Sequence, residues 1–124
     1  YVEFKGSIPR KDVLKEFMDA TALLFTSFEG GGAVVGESLS KGIPVIINKS
    51  AGASSIFKEN YRLFIENSSE KKDFISSCSK ALIYCANLPS KEYSKLSDEM
   101  LLIFRSEINW NSKGEKLNQI YKQL

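Results

Sequence analysis

The sequence predicts an α/β fold, a Rossmann-like parallel sheet with helices on both faces. Three observations predict it. Short apolar segments alternate with amphipathic helical patterns over the first half of the chain. A loop of three glycines, Gly30, Gly31 and Gly32, follows one of those segments, and a Gly-x-Pro-Val step closes the helix after it. Alternating strands and helices build right-handed crossover units and parallel sheets.

The elements follow in order. Residues 1–6 alternate apolar and polar up to Gly6, which suggests a strand over Val2–Phe4 and then a turn. Pro9 stands where a helix can begin, and Val13, Leu14, Phe17 and Met18 form its apolar stripe, predicting a helix from about Arg10 to Ala20. Leu23-Leu24-Phe25 reads as a buried strand. After the glycines a second helix is expected from Ala33 to Lys41, with Gly42 as its C-terminal cap. Pro44 opens the next buried strand, Val45-Ile46-Ile47. Ser50–Lys58 reads as a loop and a short helix, and Arg62–Ile65 as a third apolar segment.

The remainder is helical. Phe74, Ile75, Cys78, Ala81, Leu82 and Cys85 keep helical spacing, Pro89-Ser90 interrupts it, and Tyr93, Leu96, Met100, Leu101 and Phe104 make the next stripe. Trp110 precedes a last helix bearing Leu117, Ile120, Tyr121 and Leu124.

Bulk properties exclude several functions. The chain has 124 residues, 43% apolar and 26% charged, which suits one globular domain. Its net charge is +2, with the two signs interspersed, so nothing points to nucleic acid as a partner. The sequence has no histidine, which removes Ser-His-Asp and Cys-His catalysis and His-ligated metal from this chain. Cys78 and Cys85 sit two helical turns apart, about 10 Å, too far for a disulfide. They read as small core residues of a reduced, cytoplasmic protein. No apolar run approaches the roughly 20 residues that span a bilayer. Because the chain starts at Tyr1, almost within a strand, it is expected to be one domain over 1–124 taken from a longer protein.

In parallel α/β sheets ligands bind beyond the carboxyl ends of strands, so the segment after Phe25 is the place to seek a site. Glycines there free the backbone to approach a ligand. The amides entering the next helix, near Gly32, Ala33 and Val34, lack intrahelical acceptors and carry the positive end of the helix dipole, which favours phosphate. Glu37 lies four residues after Ala33, on the same helical face, where its carboxylate can accept hydrogen bonds from a ribose diol. Glu29 stands at the mouth of the loop, where it can meet a sugar. Competing readings are plain: a triple glycine also serves as a flexible turn, and Glu29 also complements a helix dipole. Glutamates eight apart recur at Glu99/Glu107 and Glu107/Glu115, so the spacing alone carries little.

The order of these features carries more. The run FTSFEGGGAVVGESLSKGIPVI resembles the retaining glycosyltransferases of the GT-B fold, whose pattern reads roughly PS-x-x-EGFGL-x-x-LEAMA-x-G-x-PV and then GG-x-PE. Glu29 and Glu37 stand at its paired glutamates, Gly30 and Gly32 at its glycines, and Gly42, Pro44 and Val45 at its closing step. Upstream, FKGSIPRKDVLKEFMDATALLF is similar to the family's strand, helix and strand run. Trp110 before the last helix is similar to a terminal Trp of many members. The resemblance is good over about residues 2–65.

It implies a donor-binding portion of a C-terminal domain, part of a two-lobed enzyme that moves a sugar from a nucleotide-sugar to a glycan or lipid-linked acceptor with retention. Glu37 would bind the ribose, and Glu29, the residue nearest the chemistry, the transferred sugar. Amides of the Gly30–Gly31–Gly32–Ala33–Val34 segment would hold sugar hydroxyls and pyrophosphate. The family's mechanism uses no metal and no cofactor beyond the donor. The acceptor would be held by an N-terminal domain outside this chain. Peripheral membrane association of the parent and self-association of the fragment complete the expected partners. The departures are Gly31 for Phe, Gly36 for Leu, Ala51 for the first Gly of the next motif, and Ser54-Ser55 for Pro-Glu. The Arg and Lys that clamp the pyrophosphate precede this segment in the family, and Lys5, Arg10 and Lys11 fall too far along the pattern to be them. Two other readings stay open: a sugar-nucleotide epimerase of the same fold, and a non-catalytic nucleotide- or protein-binding module.

Overall fold

The computed structural model describes residues 1–28 and 32–123. Three strands, β1 (Leu23–Phe25), β2 (Val45–Asn48) and β3 (Phe64–Ile65), form one sheet in the order β1-β2-β3. All pairs are parallel, with Leu23 opposite Val45, Phe25 opposite Ile47, and Ile47 opposite Phe64. The helices are α1 (Arg10–Asp19), α2 (Ala33–Ser40), α3 (Lys71–Ala86), α4 (Ser90–Ile103) and α5 (Trp110–Lys122). A 3₁₀ turn covers Gly52–Ile56, and a π turn over Phe104–Ile108 continues α4. The chain therefore has the expected Rossmann-like α/β architecture, with element bounds within a few residues of those read from the sequence.

Strand β2 shows why the sheet is covered on both sides. Side chains alternate between faces, yet Val45, Ile46, Ile47 and Asn48 are all fully buried, so neither face of this strand meets water. Helices α2 and α3 both pack on β2, and α4 packs on α2. The core gathers Val35 and Leu39 of α2, Cys78 and Cys85 of α3, and Leu96 and Met100 of α4 around the strands. Both cysteines are free thiols within it, and burial pushes each of them upward in pKa.

Helix α2 ends as the sequence proposes. Gly42 adopts φ +69°, its N–H donates to the Leu39 carbonyl, and the Ile43 N–H donates to the Ser38 carbonyl, each at 3.0 Å. These two bonds are a Schellman motif, which satisfies the last carbonyls and turns the chain straight into β2. A side chain at Gly42 would sit 2.4 Å from Ser97 Oγ on α4, so the glycine also sets the α2–α4 distance.

One expected strand is absent. Residues 1–9 take no strand conformation, and Val2 and Phe4 are 76% and 93% exposed. The alternating pattern there is real, but a strand needs a neighbour for its N–H and C=O groups. In doubly wound sheets, consecutive strands across the reversal of strand order are not neighbours, and no described strand flanks this segment. Helix α5 also stands apart: none of its residues is buried, and it packs chiefly on the π turn. Its N-terminus is capped by Asn109, whose Oδ1 accepts from the Asn111 N–H at 2.9 Å.

Tyr61 locks the β2–β3 connection. Its hydroxyl donates to the Val45 carbonyl at 2.7 Å and lies 3.5 Å from Met100 Sδ, and its ring stacks on Phe57 with centroids 4.3 Å apart. Burial pushes the phenol well above its ordinary range. A neutral Tyr61 thus belongs to the folded state. Its pKa is raised on folding, so this contribution is complete below about pH 10 and is lost as pH rises beyond it. Tyr61→Phe is expected to cost about 1–2 kcal/mol at neutral pH by orphaning a buried carbonyl. Urea denaturation at a series of pH values should also show a shallower alkaline loss of stability in the variant than in the parent. Parallel alkaline losses would show that the phenol is not held neutral by the fold.

Candidate functional site

The carboxyl ends of β1 and β2 open onto two loops, the glycine loop before α2 and the Lys49–Ile56 loop after β2. Of the site residues expected from the sequence, Glu29, Gly30 and Gly31 lie outside the described residues. Gly32, Ala33, Val34 and Glu37 are all described, and the fold places them on the first turn and a half of α2.

Gly32 is the N-cap of α2, with φ +29° and ψ +48° and no side-chain cap. Its carbonyl accepts the first helical bonds, from the Val35 N–H at 2.8 Å and the Gly36 N–H at 3.3 Å. The Ala33 and Val34 N–H groups precede these and have no acceptor within the helix. A side chain at Gly32 would come within 2.7 Å of the Ala53 Cβ. The glycine is therefore required twice, by its backbone angle and by the approach of the two loops. Ala53 belongs to the 3₁₀ turn, where Ser54 Oγ donates to the Lys49 carbonyl at 2.7 Å and Ser55 Oγ to the Gly52 carbonyl at 3.0 Å. The two serines standing at the family's Pro-Glu thus hold the loop's own backbone.

Gly36, the departure from Leu, lies within α2. A Cβ placed there would meet the Ile108 methyls of the π turn at 3.5 and 3.7 Å, ordinary contact distances, and the π turn packs on the helix. Next to this contact is a cavity of about 640 Å³ walled by Gly32, Ala33, Gly36, Ser55, Trp110 and Lys113. Trp110 borders it while remaining 88% exposed.

Glu37 does not line that cavity. Its side chain is 25% exposed, and its Oε1 lies 2.6 Å from Nη2 of Arg10, the first residue of α1. The sequence set Arg10 aside as a pyrophosphate clamp because it falls too far along the family pattern, and gave no sign of its pairing with Glu37. Only the tertiary structure brings the first residue of α1 beside Glu37 on α2. Asn48, at the carboxyl end of β2, was also missed. It is fully buried, its Oδ1 accepts from the Ser50 N–H at 2.9 Å, and its Nδ2 has no hydrogen-bond partner among the described residues. A polar residue ending an otherwise apolar strand was its only sequence signal.

The arrangement joins helix amides that have no acceptor within the helix, which favour an anionic oxygen, to a carboxylate one turn further along. Among the described residues no group of three or more His, Cys, Asp or Glu could hold a metal ion, and no helix is long and apolar enough to cross a membrane. Parallel strands, a glycine-capped helix start at their carboxyl ends and a half-buried glutamate behind it define a Rossmann-like α/β domain with a loop-built site. The chain belongs to the family of glycosyl transferases group 1, whose family model matches residues 1–84. That match takes in β1 to β3 and most of α3; Trp110 and α5 lie beyond it. No curated protein and no solved structure matches the chain significantly.

Gly32→Ala is expected to cost about 1–3 kcal/mol, from the unfavourable backbone angle and the collision with Ala53. Adding Ala53→Gly should restore part of that loss by removing the collision alone. Chemical denaturation of the single and double variants checks both points, and an undiminished stability in Gly32→Ala would refute the close approach.

Proposed function

We propose that this domain is the donor-binding, C-terminal portion of a retaining GT-B glycosyltransferase. Family membership supports sugar transfer in general. The observation that carries the finer reading is the position of Glu37, half-buried, one turn behind the first-turn amides of α2, at the carboxyl end of a parallel sheet. In this reading the Glu37 carboxylate accepts hydrogen bonds from the ribose hydroxyls of a nucleotide-sugar. The amides of Gly32, Ala33 and Val34 face its pyrophosphate and sugar hydroxyls. Glu29, Gly30 and Gly31, one to three positions before Gly32, carry the sugar-facing part of the loop, with Glu29 against the transferred sugar.

The chemistry follows from charge. As the bond from the anomeric carbon to the diphosphate oxygen breaks, negative charge grows on the departing nucleoside diphosphate. Helix amides aimed at that charge stabilise it more in the transition state than in the bound donor. An acceptor hydroxyl forms the new glycosidic bond and gives up its proton to the departing diphosphate oxygen, and retention keeps the sugar's configuration. The acceptor, a glycan or a lipid-linked glycan, is positioned by a second lobe of the parent enzyme.

Glu37→Gln in the full chain is expected to weaken binding of uridine or guanosine diphosphate, whichever binds the parent, by about 1.5–3 kcal/mol, the worth of hydrogen bonds to a charged group. Titration calorimetry measures it directly. An unchanged affinity would remove Glu37 from the donor site.

A further inference from the structure

We infer that Arg10 is a positioning residue for the nucleotide, acting through Glu37; the inference rests on the donor-site reading given above. Three observations carry it. First, the Arg10–Glu37 pair at 2.6 Å joins residues of two helices that otherwise share little packing. The contact is made by the side chains reaching toward each other, not forced by the helices. Second, Arg10 breaks a local rule. It is the first residue of α1, whose N-cap Pro9 supplies no side-chain cap, and a cation there opposes the helix dipole. Its compensation comes from another element, which is the pattern of a residue kept for its role in a site. Third, the pair spans the surface: Arg10 is 73% exposed while Glu37 is 25% exposed. The guanidinium forms the solvent side of the pair and the carboxylate the protein side.

The consequence is geometric. A glutamate has three rotatable bonds, and a carboxylate free to turn loses entropy when a diol fixes it. Arg10 bonds Oε1, which sets the carboxylate plane in advance. Oε2 and the remaining lone pairs of Oε1 stay available to the two hydroxyls. Arg10 therefore raises selectivity for a ribose over a deoxyribose, because its effect passes through the hydrogen bonds that Glu37 makes.

The test measures dissociation constants of uridine and guanosine diphosphates and their 2′-deoxy forms for the full chain, with Arg10→Ala, Arg10→Lys, Glu37→Gln and the Arg10→Ala/Glu37→Gln pair. Arg10→Ala is expected to weaken the ribonucleotide about fivefold, the upper range for an exposed pair, and the 2′-deoxy form, which keeps one of the two hydroxyls, clearly less. Arg10→Lys should regain part of the loss. In the Glu37→Gln background, removing Arg10 should change nothing further. Equal weakening of ribo and deoxy forms, tighter binding in Arg10→Ala, or an Arg10 effect that persists in Glu37→Gln would each overturn the inference. If instead Glu37→Gln leaves ribonucleotide affinity unchanged, the donor-site reading itself fails, and Arg10 with it. Should Arg10→Ala fail to fold, Arg10→Gln provides the neutral variant, judged by the same ribose-to-deoxyribose ratio.

Discussion

The double burial of β2 is the constraint on which the rest of the structure depends. A strand only four residues long is held by ladders to both neighbours and by apolar cover on both faces. Its length leaves little room for register error, because a slip of one residue would exchange Val45 and Ile47 with Ile46 and Asn48 across the sheet. The register in turn fixes where β1 and β3 end, and the ends of β1 and β2 carry the loops of the candidate site. Tyr61 reinforces this by closing on the Val45 carbonyl from the β3 side, within the ring cluster of Phe57 and Phe64.

Helix α2 translates that constraint into a site. Its C-terminus is tied to β2 by the Gly42 cap and by Ser38, whose hydroxyl donates to the Ile43 carbonyl at 3.2 Å. Its inner face is locked by Val35 and Leu39, and the π turn packs on one flank beside Gly36. With one end and two sides set, the outer face has little freedom to move. The first-turn amides and Glu37 are on that face, so rigid packing below serves positioning above. The bond from Ser40 Oγ to the Glu37 carbonyl at 2.7 Å adds a local restraint at the same residue.

Much of the exposed apolar surface falls at the chain's two ends. Tyr1, Val2 and Phe4 at one end, and Trp110, Leu117, Ile120 and Tyr121 at the other, lie open. Small residues on α2 and around the 3₁₀ turn let the wall of Trp110 and Lys113 close over a cavity beside the helix start. The site thus has two flanks of different chemistry, a charged one at Arg10 and Glu37 and a largely apolar one at Trp110.

Local physics was enough for much of this protein. Gly42 names its own cap because only a glycine readily takes positive φ where a helix must turn into a strand. The runs Leu23–Phe25 and Val45–Ile47 name buried strands because continuous apolar segments this short fit a parallel sheet covered on both sides. The sequence also ranked α2 as the functional helix, through the glycines before it and Glu37 within it. Tertiary structure decided what depends on partners distant in the chain. Val2–Phe4 has the strand pattern and no strand, since a ladder requires a neighbour that no local pattern guarantees. Asn48 looks like the end of an apolar run until burial on both sides leaves its amide donor without a partner among the described residues. Arg10 reads as an ordinary helix-start cation, and only the convergence of α1 and α2 at one edge of the sheet brings its guanidinium onto Glu37.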